Sequence, residues 1–308
     1  MMYTWSETNF APYAITYAVS FIALFIGSIT DLKTREVPDW LNYGLIISGV
    51  GLNLLFSTIY STPHLIINSI IGLVIFFGIA YIMFYAGQWG GGDSKILMGL
   101  GAMIGLDVSF KTPQFLFWFF INALFVGAMY GLLWSSFLIF KNKKKFLREW
   151  NNISGEYKIL TAKWLLFTAI ILFLAIILAV KFLNLSIGYL QPSFLIFLLL
   201  SLLLVILITF YLWIFVKAIE KSSMYKLVEP SKLTEGDWIV KDIFVNTQYI
   251  CGPKDLGIDK KQIKKLIEFY KQGKVKKVLI KEGIPFVPNF LIAFIVTLIF
   301  GNPLVWLV

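Results

Sequence analysis

One cysteine and one histidine occur in 308 residues. The single thiol, Cys251, excludes an internal disulfide and a zinc ribbon of cysteine pairs, and its expected role is that of a small buried residue. With His64 as the sole histidine, neither a Ser-His nor a Cys-His nucleophile can be assembled, and the His-Glu-x-x-His spacing of zinc peptidases is absent. No metal and no cofactor are expected. Charge is scarce as well: 14% of residues are Asp, Glu, Lys or Arg, against 58% hydrophobic. With a mean hydropathy of +0.80, this composition excludes an ordinary soluble domain. No internal repeat or low-complexity tract is evident.

What the chain has instead is long apolar runs. Crossing a ~30 Å hydrocarbon core takes ~20 mostly apolar residues in a helix. Such runs occupy residues 12–30, 40–60, 65–86, 115–140, 164–182, 194–216 and 288–307, with a shorter one at 94–106. The expected fold is an all-α polytopic membrane protein of about eight transmembrane helices, with a small α+β cytosolic domain. Lys and Arg accumulate in cytoplasmic loops. With the N-terminus outside, every Lys and Arg except Lys111 and Lys181 falls on the inner side, so both termini are expected to be external. The first span lacks a basic segment before it and is expected to be retained. The net charge of +10 reads as topology signal and attraction to anionic membrane lipid rather than nucleic-acid binding.

The expected organisation is a membrane core at 1–140, a basic cytosolic loop at 141–163, an additional transmembrane hairpin at 164–216, a small cytosolic domain at 217–287 and a final helix at 288–308. In the cytosolic segment, alternating Trp238, Val240, Ile243 and Val245 suggest short strands. Ile258, Ile263, Leu266, Ile267 and Tyr270 fall at helical spacing, with Asp259 as N-cap and Gly273 as stop.

Charges at membrane depth are costly, and those that persist there line polar cavities and do chemistry. Asp31, in "SITDLKTREVPDW", lies at the inner end of the first helix. Asp93, in "GQWGGGDSKI", lies at the inner start of the short fourth. The topology puts both on one membrane face. Two carboxylates sharing a site hold one proton between them, so that one can deprotonate a water while the other polarises a carbonyl. Gly90, Gly91 and Gly92 lack Cβ atoms, permit positive φ and let a substrate backbone come close. A phosphate cradle is disfavoured, because Asp93 would repel phosphate and no Gly-Lys-Ser/Thr follows. Either aspartate alone also reads as an ordinary helix cap.

"GGGD" followed by "SK", together with "DLKTREVPDW" on the preceding inner loop, resembles the GxGD aspartyl peptidases that process type IV prepilins and archaeal preflagellins. The resemblance covers residues 12–140. "EGDWIV", "CGPKDLGI" and "KEGIPFVP" are similar to tails of archaeal members. It implies that Asp31 and Asp93 are the catalytic pair and that Gly90 and Gly92 are the fixed glycines around a variable Gly91. Asp39 is assigned mainly to capping the second helix, and Lys95 to marking the inner face. The implied activity is that of an aspartic endopeptidase removing a short, positively charged leader from pilin-like or archaellin precursors at the cytoplasmic face. Bacterial members that also methylate their product carry an extra cysteine-bearing domain, which has no counterpart here. "IPFVP" at 284–288 only faintly echoes the Pro-Ala-Leu-Pro element of presenilin-like proteases.

Two other classes compete. An ion-coupled transporter also uses Gly-interrupted helices with intramembrane acids, although here the acids sit at span ends and no inverted repeat is seen. A membrane anchor with a partner-binding cytosolic module would leave both acidic motifs idle. The oligomeric state is not legible in the sequence.

Overall fold

A computed structural model describes residues 10–107, 114–182 and 192–302. The chain divides into two units, one comprising residues 1–134 and 227–308 and the other residues 135–226. It is a mostly helical, polytopic membrane protein with a small sheet region. Among the described residues, five helices are long and apolar enough to cross a membrane.

In the first unit, α1 (Phe10–Thr34), α2 (Asp39–Ile59) and α3 (His64–Tyr85) form an antiparallel succession. Pro38 and Pro63 stand immediately before α2 and α3, where a missing amide costs nothing and a fixed φ suits helix entry. Polar groups within the spans are satisfied locally: Ser20 and Ser28 donate to the carbonyls of Thr16 and Leu24 on their own helix. In hydrocarbon no water is available to do this.

α4 (Gly91–Ile104) has 14 residues, about 21 Å at 1.5 Å per residue, too short to span. Ile96, Leu97, Leu100, Ala102 and Met103 are fully buried, so the helix is enclosed by its neighbours. Glycines permit this. A Cβ on Gly72 of α3 would collide with the Gly101 carbonyl oxygen, and one on Gly49 of α2 would lie 2.7 Å from the Met103 amide. Small residues of this kind let membrane helices approach backbone to backbone. The last carbonyls of α4 end inside the bundle and are not orphaned. Asn53 Nδ2 donates to Ala102 and Met103 at 3.2 and 3.0 Å, and Ser69 Oγ donates to Ala102.

α5 (Phe115–Lys141) and the 14-residue α9 (Val287–Phe300) complete the core. Asn122 Nδ2 reaches Thr297 Oγ1 at 2.9 Å, and Asn289 Nδ2 reaches the Ala123 carbonyl at 3.2 Å. Phe119, Phe290 and Phe294 fill the space between them. Of the expected spans, 94–106 is α4 and 288–307 is α9, which stops at Phe300; residues 303–308 lie outside the described residues.

β1 (Tyr225–Val228) runs across the division between the units. In the first unit follow β2 (Trp238–Ile239), β3 (Ile243–Val245), β4 (Gln248–Cys251), α8 (Lys260–Lys271) and β5 (Val278–Lys281). The short strands expected through 238–245 are β2 and β3, separated by Val240–Asp242. β2 pairs antiparallel with β5, and β3 with β4. Asn246 and Thr247, both at positive φ, make the tight β3–β4 turn. α8 begins as the sequence implies: Gln262 N donates to Asp259 Oδ1 at 2.6 Å and Asp259 N to Gln262 Oε1 at 2.9 Å, a reciprocal cap. Leu266, Ile258, Cys251, Val278 and Ile280 form the small core.

The second unit holds the end of α5, α6 (Lys143–Phe182), α7 (Pro192–Ile219) and a π-helical turn, Glu220–Met224. Residues 143–163, expected as a basic loop, are helical and continuous with the apolar segment after them, in one helix of 40 residues. Phe146, Ile153, Ile214, Ala218 and Ile219 pack together within this unit. Their spacing explains the helix, since a lysine-rich stretch with one apolar stripe helps to bury Phe146 and Ile153 while its charges stay outside.

Candidate active site

Asp31 stands on the last turn of α1 and is 5% exposed. Its Oδ2 accepts a hydrogen bond from the Val287 amide at 2.9 Å. Val287 opens α9, so the carboxylate occupies the amide-rich, positive end of that helix. Asp93, half-buried, is in the first turn of α4, where its Oδ2 accepts from the Gly90 amide at 3.0 Å. Asp93 is therefore not the N-cap that the sequence offers as an alternative: Gly90 holds that position, and Asp93, at the third residue of the helix, reaches back to its amide with one carboxylate oxygen.

The packing brings the helix ends that carry the two carboxylates together. Gly27, one turn before Asp31, faces α4 and α9 so closely that a Cβ there would lie 3.0 Å from Ile96 Cδ1 and 3.3 Å from Val287 Cγ1. Gly92, beside Asp93, lies against Val37 of the α1–α2 loop, which a Cβ would meet at 3.1 Å. The end of α1 and the start of α4 are thereby drawn together.

The glycines act differently from the sequence expectation. Gly90, Gly91 and Gly92 are all outside the positive-φ region; the left-handed glycine is Gly87, at φ 67°. A Cβ on Gly92 would press on Val37 at 3.1 Å, whereas one on Gly91 would meet only Phe84 Cε2 at 3.9 Å. Trp238 of β2 covers Gly87, its Cη2 3.4 Å from where a Cβ would be.

Asp39 and Lys95 meet each other. Lys95 Nζ is 2.6 Å from Asp39 Oδ1, and the ammonium also lies over the Tyr43 ring, 5.2 Å from its centroid. The Asp39 carboxylate accepts from Lys95 and makes no helix cap: Pro38 occupies the N-cap position and no side-chain cap bond forms. The pair is a strut between the first turns of α2 and α4.

Several neighbours were not legible in the sequence. The Val287 amide belongs to the "IPFVP" segment, where Pro288 was the only signal of a helix start. Trp89, preceding the glycines, is buried against Phe286 and Phe290. Arg35, counted beforehand only as a topology signal, follows α1 directly and interacts electrostatically with Asp31. Asp237 in the small α+β region has its carboxyl pushed up by burial, held down by the Thr234 amide and hydroxyl, and pushed up further by Glu36 and Glu282.

The type IV leader peptidase family matches residues 18–132, which include Asp31, Asp39 and the Gly90–Lys95 segment. The chain is similar to a preflagellin peptidase of Methanococcus voltae, 35% identical over 158 residues that cover 46% of this chain and 67% of that relative. A preflagellin peptidase of Methanocaldococcus jannaschii is 41% identical over 90 residues, 29% of this chain and 38% of the relative. Prepilin peptidase EppA of the same organism is 23% identical over 308 residues, 87% of this chain and 83% of the relative. The chain thus spans about two thirds of the first of these relatives and well under half of the second. No solved structure matches. The chain belongs to the type IV leader peptidase family.

Proposed function

We propose that the protein is a membrane aspartic endopeptidase that removes the positively charged leader from type IV pilin-like or archaellin precursors, with Asp31 and Asp93 as its catalytic pair. The observation that supports this reading is the packing that brings the two acids, far apart in sequence, to one end of the bundle: Gly27 of α1 lies against Ile96 of α4 and Val287 of α9, and Gly92 lies against Val37. The distribution of Lys and Arg supports a cytoplasmic orientation for this end of the bundle, with both termini outside.

In the reaction, the pair holds one proton. The ionised aspartate takes a proton from water as the water oxygen attacks the scissile carbonyl carbon. The protonated aspartate donates to the carbonyl oxygen, giving a tetrahedral diol. On collapse the amide nitrogen takes a proton, the C–N bond breaks, and the leader leaves with a new carboxyl terminus. The hydrophobic segment behind the cut stays in the membrane. An apolar groove of about 270 Å³ between α1 and α2, lined by Ala23, Ile26, Trp40, Leu41 and Leu45 among others, supports a place for such a segment.

The test is cleavage of a panel of pilin-like and flagellin-like precursors in detergent or membranes by the native chain, Asp31→Asn and Asp93→Asn. The native chain shortens a precursor and both folded variants leave it intact. Residual cutting at the native rate by either variant removes that aspartate from the chemistry.

A further inference from the structure

The residue that ends α1 holds an unusual position. Arg35 has φ 62°, a left-handed conformation that a long side chain rarely adopts. Its amide closes the helix on the Asp31 carbonyl at 2.9 Å. Its guanidinium lies over the Trp134 ring, 5.2 Å from the centroid. Trp134 in turn packs on Tyr130, one turn earlier on α5, with ring centroids 5.8 Å apart.

Two polar atoms in this stack are buried with no hydrogen-bond partner: Arg35 Nη1 and the Tyr130 hydroxyl. Both groups lie within electrostatic reach of Asp31, and of each other. The ion pairs among the described residues do not include Arg35. Trp134 occupies the face of the guanidinium and leaves its in-plane N–H groups free to donate, because Arg donors all lie in the plane. Gly127, just before Tyr130, meets α9 closely: a Cβ there would lie 3.0 Å from Asn289 Nδ2 and 3.3 Å from Phe286 Cζ. α5 is therefore held against the helix start that donates to Asp31.

A buried donor without an acceptor is costly, and native proteins keep few of them. Two together, on side chains from α5 and the α1–α2 loop beside an acid, call for an oxygen supplied from outside the chain. A carboxylate would be repelled by Asp31 and Asp93. A neutral amide oxygen would not, and any peptide drawn into a water-poor site must have its carbonyls satisfied.

We propose that the Arg35 guanidinium edge and the Tyr130 hydroxyl form a donor pair that receives a main-chain carbonyl oxygen of the precursor next to Asp31. Trp134 holds the guanidinium in plane for this, and the left-handed Arg35 backbone turns the side chain back toward α5. The inference rests on the leader-peptidase reading and adds to it two substrate-binding residues.

The experiment compares the full-length native chain in detergent with Arg35→Asn, Arg35→Lys, Tyr130→Phe and the Arg35→Asn/Tyr130→Phe double variant, on whichever precursor the native chain cuts. Asn tolerates the left-handed backbone, so the turn survives while the guanidinium is removed. Tyr130→Phe deletes one oxygen. Arg35→Asn and Tyr130→Phe each lower kcat/KM about tenfold to a hundredfold, and Arg35→Lys restores only part of the loss. The double variant falls no more than about threefold below the worse single, since both donors serve one oxygen.

A packing role gives a different result: Tyr130→Phe changes Tm and leaves kcat/KM at the native value, which overturns the proposal even if Arg35→Asn fails to fold. Independent, multiplicative losses also overturn it. A native chain whose cutting needs Asp31 and Asp93 but not Arg35 or Tyr130 defeats this inference alone. One that cuts no precursor defeats the peptidase reading, and this with it.

Discussion

The Asp31 carboxylate accepts the Val287 amide at 2.9 Å, so the acid assigned to chemistry also holds the start of α9. The two roles separate by substitution. Asp31→Asn keeps a side-chain oxygen for the amide and loses the exchangeable proton; cleavage falls by about 10²–10⁴-fold, while Tm stays near native. Asp31→Ala leaves a buried amide unpaired, at about 1–3 kcal/mol, and lowers Tm as well. Thermal denaturation in detergent alongside cleavage assays resolves the difference.

In the proposed mechanism a shared proton sets the form of the pH profile. With both aspartates protonated no base is available, and with both ionised no acid is. Cleavage therefore rises and then falls with increasing pH, and its two apparent constants belong to the pair rather than to either residue. Rate measurements across pH 3 to 9 on the native chain check this, and a monotonic profile contradicts it.

Neighbouring glycines respond unequally. Gly91→Ala places its methyl near Phe84 alone, at ordinary contact distance, and leaves folding and cleavage close to native. Gly92→Ala presses on Val37 and lowers activity. Gly72→Ala collides with the Gly101 carbonyl and costs about 1–3 kcal/mol. Parallel Tm and cleavage measurements rank the three variants in that order of severity.

Much of this was readable beforehand. The apolar runs located α1, α2, α3, α5 and α7 because membrane crossing imposes a minimum length. Asp259 as N-cap and Gly273 as stop announced α8 through local chemistry. The helical start of α6 was missed, because lysine density masks a sparse apolar stripe. The Asp31–Val287 bond joins two ends of the chain, and no local pattern encodes such a contact. Tyr130 is one aromatic among many in an apolar span, and only its unpaired hydroxyl distinguishes it.

The Lys95–Asp39 strut is partly solvent-exposed, at 34% and 68% for the two side chains. Lys95→Met is expected to cost no more than about 1 kcal/mol and to lower cleavage only mildly. A loss as deep as that of Asp93→Asn would move Lys95 into the reacting centre.

Cys251 reports on the sheet region. Its thiol is fully buried, and burial together with Asp255, Asp242 and Asp259 pushes it up to about 11. The sign follows directly: at pH 8 the folded chain keeps the protonated, unreactive thiol, and unfolding restores an ordinary, more acidic one. Iodoacetamide labelling is slow in the native protein and accelerates with denaturant as the small core opens.

The side chains at the far end of α4 give distant residues a lever on the reaction. Asn53 and Ser69 grip its last carbonyls, so loss of that grip is expected to let the helix tilt. The arm from Ala102 back to Asp93 is about 13 Å at 1.5 Å per residue, and a tilt of only some 4° displaces the acid by about 1 Å. A misplacement of that size can cost a hundredfold in rate. On the proposed role of Asp93, Asn53 thus sets the aim of that acid from the opposite end of the helix.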